Sequence, residues 1–123
     1  MKLKTLKVGI MSMNEYKART IAIAKGEYIP KKDEPKIWFE SLKSLSQILD
    51  SKNQELLKII LDKNPQSLTE LEKLTGRAKS NLSRTLKTLE RYGIVELNKI
   101  KNTLVAKVKA TDFKVEFGLG HAA

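Results

Sequence analysis

The sequence predicts a mainly α-helical protein with a small β part, an α+β chain of one domain plus a modest extension. Three observations carry this. Apolar residues recur at helical spacing through the middle of the chain, most clearly at Leu82, Leu86 and Leu89. From Ile94 the period changes to two and holds through Val108, and a separate alternation of Leu6, Val8 and Ile10 stands near the N-terminus. A length of 123 residues suits one domain burying roughly two-thirds of its unfolded surface.

The elements follow in order. Leu6, Val8 and Ile10 alternate with Lys7 and Gly9 as a half-buried strand. Ser12 and Glu15 have capping-box spacing and open a helix over about 13–25, with Tyr16, Ile21, Ile23 and Ala24 as a ragged apolar stripe and Gly26 at its end. Residues 26–36 hold Gly26, Pro30, Pro35 and a cluster of charges, which reads as a linker in which Asp33 and Glu34 are solvated. Trp38, Leu42, Leu45 and Leu49, with Ile48 beside them, give an amphipathic helix from 37 to about Asp50.

Ser51 with Gln54 then offers a second capping box, opening a helix through about Asp62 that is apolar on most sides and belongs in a core. A third, Ser67 with Glu70, opens a short helix whose Leu68, Leu71 and Leu74 face inward; Gly76 supplies the left-handed turn that stops it. The next helix runs from about Lys79 to Tyr92 and ends at Gly93. Its buried side is Ala78, Leu82, Leu86 and Leu89, and its opposite side is Ser80, Arg84, Lys87 and Arg91. Two strands follow, joined by a polar loop at 98–102. Helix, helix, hairpin is the order of a winged helix-turn-helix, here with an N-terminal strand-helix extension. A final alternation, Phe113, Val115 and Phe117, matches Leu6, Val8 and Ile10 in length, and the sequence leaves open whether these end strands pair within one chain or between two.

This division gives an extension and linker at 1–36, the winged helix-turn-helix unit at 37–110, and a C-terminal strand and tail at 111–123. The net charge of +10 is unevenly spread over it. Residues 1–36 carry net +5, residues 37–76 net −1, residues 77–109 net +7 and the tail net −1. A neutral support beside a strongly cationic segment points to a localised polyanion-binding face.

The binding residues separate by task, since phosphate contacts supply affinity and base-edge contacts supply sequence choice. Lys79, Ser80, Asn81, Ser83 and Arg84 lie where a recognition helix reaches deepest into the major groove. Arg84 suits guanine O6 and N7, and Asn81 suits adenine N6 and N7, although Asn81 serves equally to brace the helix start. Arg77, Lys87 and Arg91 suit phosphates, as do Lys99 and Lys101 in a wing. The competing reading for each cation is an ordinary solvated face.

The segment SLTELEKLTGRAKSNLSRTLKTLERYGIVEL resembles the winged helix-turn-helix of MarR-like and ArsR-like regulators. VGIMSMNEYKARTIAIAKGEY and KIWFESLKSLSQILD resemble a family of small prokaryotic DNA-binding proteins described as antitoxin-like transcriptional regulators. The likeness spans roughly residues 5–119 and implies DNA binding as a homodimer, carried here by Lys79 to Arg91. Ala78 departs from the capping serine common at that position in related recognition helices.

Other classes fare worse. No Gly-rich phosphate loop, no Ser or Cys near a His and no convincing carboxylate pair argues for an enzyme, so none is expected. With no cysteine and a single histidine, His121, neither a disulfide nor a metal cage is expected, and no cofactor. A protein-interaction module is the main rival, with Trp38, Phe39 and Leu42 as a surface for another chain, and antitoxin-like partner binding through the N-terminal region falls in the same class; Trp38, Leu42 and Leu45 are the expected dimer interface. RNA is less suited, because few aromatics stand among the basic residues. The N-terminus lacks a secretory pattern and no apolar run approaches the roughly 20 residues that span a bilayer. The expectation is a cytoplasmic, homodimeric regulator that binds double-stranded DNA and no membrane.

Overall fold

The computed structural model describes residues 4–119; His121 lies outside them. Among the described residues the chain is a mixed α+β fold of five helices and five strands. In order these are β1 (Lys4–Ile10), α1 (Met13–Ala24), β2 (Ile37–Phe39), α2 (Leu42–Ile48), α3 (Ser51–Lys63), α4 (Leu68–Thr75), α5 (Lys79–Arg91), β3 (Val95–Ile100), β4 (Thr103–Val108) and β5 (Ala110–Glu116). No helix among them is long and apolar enough to cross a membrane.

The N-terminal strand finds partners on both sides. β1 lies between β2 and β5 in a three-stranded sheet in which both pairings are parallel. The end strands therefore pair within one chain, with Leu6 opposite Phe113 and Val8 opposite Val115. β2 replaces the first part of the helix expected from residue 37. Pro35 disfavours helix just upstream, Ile37, Trp38 and Phe39 are strand formers, and Ser41 starts α2 instead by accepting the amide of Ser44 at 3.1 Å. The helical spacing from Trp38 to Leu49 thus straddles a strand-to-helix junction.

Register explains one glycine. Gly9 faces Trp38 across the ladder, and a β-carbon there would sit 2.3 Å from Trp38 Cζ3. Only a residue without a side chain lets the indole lie flat across β1. The indole in turn carries the Arg19 guanidinium 5.2 Å from its ring centroid.

Arg19 ties α1 to the rest of the fold. The helix buries no side chain of its own, so the stripe of Tyr16, Ile21, Ile23 and Ala24 builds no core. Arg19 instead meets Glu34 at 3.2 Å, and Glu34 also accepts from the Tyr28 hydroxyl and from the Lys31 amide at 2.9 Å. Glu34 is therefore the hub of the connection after α1, where a solvated linker acid was expected. The Tyr28 hydroxyl, followed by the Lys31 amide and Arg19, holds the Glu34 carboxyl below its ordinary range, and the same contact raises the Tyr28 phenol.

The helix starts largely obey the capping rules. Ser12 accepts the Glu15 amide at 3.2 Å and donates its hydroxyl to the Glu15 carboxylate at 2.9 Å. Ser67 accepts the Glu70 amide, and the Glu70 carboxylate reaches back to the Gln66 amide, both at 3.1 Å. At α3 the expected Ser51–Gln54 box is displaced by one residue. Asp50 is the cap, accepting the Asn53 amide at 2.8 Å, while the side chains of Asn53 and Gln54 turn back onto the carbonyls of Ile48 and Leu49 at the end of α2. One short segment thus closes α2 and opens α3.

Two apolar clusters form the interior. The larger gathers Leu56, Leu57 and Ile60 of α3, Leu71 of α4, Leu82, Leu86 and Leu89 of α5, then Ile94, Val95, Ala106 and Val108 around the hairpin. The smaller is Val8, Phe39 and Leu45. Leu6, Ile48, Leu49, Tyr92 and Phe113 pack against both, so residues of the two terminal segments join the central unit in continuous packing. Tyr92, just past α5, stacks on Phe39 with centroids 4.1 Å apart. Of Trp38, Phe39, Leu42 and Leu45, expected at an interface, Phe39 and Leu45 belong to the smaller cluster and Trp38 is half-buried beneath Arg19; Leu42 is exposed.

Candidate nucleic-acid interface

The basic segment is built on α5, and α5 is positioned by its leucines. Leu82, Leu86 and Leu89 are each 0% exposed. Their complete burial, worth about 1.5–3 kcal/mol per side chain, fixes how the helix is rotated about its axis. That rotation leaves Lys79, Ser80, Asn81, Arg84, Lys87 and Arg91 exposed, with Ser83 half-buried at the edge of the face.

The turn into α5 has the chemistry read from the sequence. Gly76 ends α4 with φ +74°, a backbone conformation that costs an L-residue about 1–2 kcal/mol, and Thr75 Oγ1 accepts the Arg77 amide at 3.1 Å. Ala78 occupies the N-cap of α5 with no side-chain cap bond, and Ser80 does not take its place. Ala78 itself is exposed, not part of the buried stripe.

Arg77 occupies a different position from the one its charge suggested. Its Nε donates to Asn81 Oδ1 at 2.8 Å, one terminal nitrogen donates to Asn53 Oδ1 at 3.3 Å and the other to Thr85 Oγ1 at 3.1 Å. The guanidinium thereby clamps the first two turns of α5 to the start of α3. Asn81 accepts this bond through its Oδ1. Asn53 and Thr85, the partners of the clamp, were not visible as such in the sequence, because nothing in the spacing of 53, 77 and 85 marks them as neighbours.

Beyond α5, Tyr92 and Gly93, the latter at φ +75°, redirect the chain into the antiparallel pair β3–β4. The hairpin is tighter than the loop expected at 98–102. Ladder pairing continues to Ile100 opposite Thr103, so only Lys101 and Asn102 form the turn, with φ of +50° and +64°. Positive φ at both positions is the two-residue turn whose twist matches that of paired strands. Lys101 therefore stands at the hairpin tip, with Lys99 two residues back on β3, and both are exposed.

The structure brings Ser80, Arg84, Lys87 and Arg91 onto one helix surface with Lys79 exposed at the helix start, seats Lys99 and Lys101 on the hairpin that follows, and draws Arg77 inward. Among the described residues, no three His, Asp or Glu side chains gather closely enough to hold a metal ion. A family model described as HVO_A0114 matches residues 48–114, which covers α3, α4, α5, the hairpin and most of β5. No curated protein and no solved structure matches the chain.

Proposed function

The chain belongs to the HVO_A0114 family over a span that contains the whole basic segment, and for that span we propose sequence-specific binding of double-stranded DNA by a winged helix-turn-helix, acting as a transcriptional regulator on an operator. α5 is the recognition helix and the β3–β4 hairpin is the wing. The observation that carries this reading is the two-sided character of α5. Three leucines with no exposed surface lock one side, while Ser80, Arg84, Lys87 and Arg91 stand exposed on the other and Lys79 is exposed at the first position of the helix.

In this reading the N-terminal turn of α5 enters the major groove. The short side chains of Ser80 and Ser83 allow close approach, Arg84 reads a guanine, and the amide group of Asn81 donates to an adenine N7. The uncapped helix start leaves backbone amides pointing outward, which favours a nearby phosphate. Lys87, Arg91, Lys99 and Lys101 hold the backbone, while Arg77 fixes the angle at which α5 is presented. No enzymatic role, cofactor or metal is part of the proposal, and the setting proposed is the cytoplasm.

A salt titration tests it. Anisotropy of a labelled duplex should give log K falling linearly with log salt, with a slope no steeper than about −5 per protomer for the six free cations Lys79, Arg84, Lys87, Arg91, Lys99 and Lys101. Lys101→Ala should flatten that slope by about one unit and weaken binding equally on all sequences. An unchanged slope would remove the wing from the interface.

A further inference from the structure

We propose that β5 is a self-pairing edge, and that two copies of this chain join antiparallel along it with Val115 on the two-fold axis. The inference gives an interface to the homodimer expected from the sequence, and it rests on the sheet and not on the DNA-binding face. Because the strand order is β2-β1-β5, β5 pairs on one side only, and among the described residues no other backbone bond occupies its outer edge. A seven-residue edge strand with open amides and carbonyls is a template for another strand. Its neighbours are apolar as well. Val115 is 45% and Phe117 55% exposed, and beside β5 runs a groove of about 270 Å³ between it and α3, lined by Leu49, Leu57, Leu61, Val108 and Phe113.

The sequence of the strand selects its own copy as the occupant. Opposite residues in an antiparallel pair share a face, so a two-fold axis through Val115 sets Lys114 against the partner's Glu116 and Phe113 against the partner's Phe117, each twice by symmetry. Both charge pairs are then of opposite sign. The axis one residue earlier would place Lys114 on Lys114 and Asp112 on Glu116, all like charges, and one residue later would place Glu116 on itself.

The monomer has matching needs. Lys114 lies directly opposite Lys7 in the β1 ladder, an unfavourable like-charge pair, and Lys7 reaches Glu116 at 3.3 Å on the same face. A second copy sets its Glu116, which its own Lys7 also meets, opposite Lys114. On the other face Phe113 lines the apolar groove, so the partner's Phe117, opposite Phe113, enters beside it against Leu57 and Leu61. The product is one six-stranded sheet with no long free edge, which leaves both copies of α5 outside the contact.

Cross-linking and charge reversal test this without DNA. The chain contains no cysteine, so Val115→Cys introduces a single thiol that meets its own copy at an antiparallel Cα separation of about 4.5–5.5 Å, within disulfide range. Light scattering at tens of micromolar protein should report a dimer. Mild oxidation should convert Val115→Cys to a covalent dimer, and Ile21→Cys, on the competing apolar surface of α1, should remain uncrosslinked. Lys114→Glu should raise the dimer dissociation constant about tenfold or more, and the double exchange Lys114→Glu with Glu116→Lys should restore it. A monomer, cross-linking through Ile21→Cys instead, or a dimer indifferent to the charge reversal would each overturn the proposal. Failure of the uncross-linked parent to bind any duplex would count against the DNA-binding reading and leave this interface standing.

Discussion

Arg77→Ala separates two roles that a single arginine near a recognition helix can have. The side chain donates three bonds at 2.8, 3.1 and 3.3 Å that join the first turns of α5 to α3. Because the residue is half-buried, water replaces part of each bond on truncation. Taking about 0.5–1 kcal/mol per bond, the low part of the net range, the loss is about 1.5–3 kcal/mol. An unfolding entropy of roughly 2.1 cal/mol/K per residue gives about 0.26 kcal/mol/K for a chain of this length, and a fall in melting temperature of about 6–12 °C. Thermal melts followed by circular dichroism at neutral pH would measure it. Arg77→Lys keeps the charge without the planar fork and should recover little of the loss. The clamp is refuted if Arg77→Ala melts within about 2 °C of the parent while its weakened DNA binding is restored by lysine, because that pattern belongs to a phosphate ligand.

Two further outcomes follow from the sheet and the α1 connection. Gly9→Ala puts a methyl group 2.3 Å from the Trp38 ring, and overpacking of this kind costs about 1–3 kcal/mol; the sole tryptophan of the chain should report the displaced ring as a shifted emission maximum, and an unshifted spectrum with unchanged stability would contradict the register of β1 and β2. Glu34 has a carboxyl held below its ordinary value of 4.5, first by the Tyr28 hydroxyl, so its stabilising contribution is complete above that value and is lost as pH falls through the lower folded value. Glu34→Gln should therefore be less stable than the parent at pH 7 and lose less stability on acidification, as urea melts across pH 3–7 (about the range that matters for a carboxylate) would show; parallel pH profiles would contradict the hub.

What the sequence makes legible here is what depends on short-range pattern. The three leucines of α5, the Ser67–Glu70 cap and Gly76 each act within a few residues, and the structure contains all three as read. The expected register fails where two local signals compete. Trp38 shares helical spacing with Leu42 and Leu45, yet Ile37–Phe39 is held as a strand by its pairing with β1, about 30 residues away in sequence, which no periodicity reports. The largely polar stretch NKIKN predicts a five-residue loop, whereas positive φ at Lys101 and Asn102 closes the turn in two residues and lets Asn98, Lys99 and Ile100 pair. The candidate site divides in the same way. Exposure of Ser80, Arg84, Lys87 and Arg91 follows from the helix period alone, whereas Lys79 is exposed because it is the first residue of α5. The inward turn of Arg77 depends on Asn53 and Thr85, which come close only when α3 packs against α5, and the hub at Glu34 likewise depends on Arg19 from a preceding helix.

The most direct test of the central claim is selection of bound sequences from a random duplex pool by the intact protein, repeated with Arg84→Ala. The parent protein should enrich an inverted repeat, and Arg84→Ala should lose about 1–3 kcal/mol on the cognate site together with preference at one base pair in each half-site. No enrichment with the parent, or an affinity loss with Arg84→Ala that is equal on every sequence, would contradict the assignment of α5 as a base-reading helix.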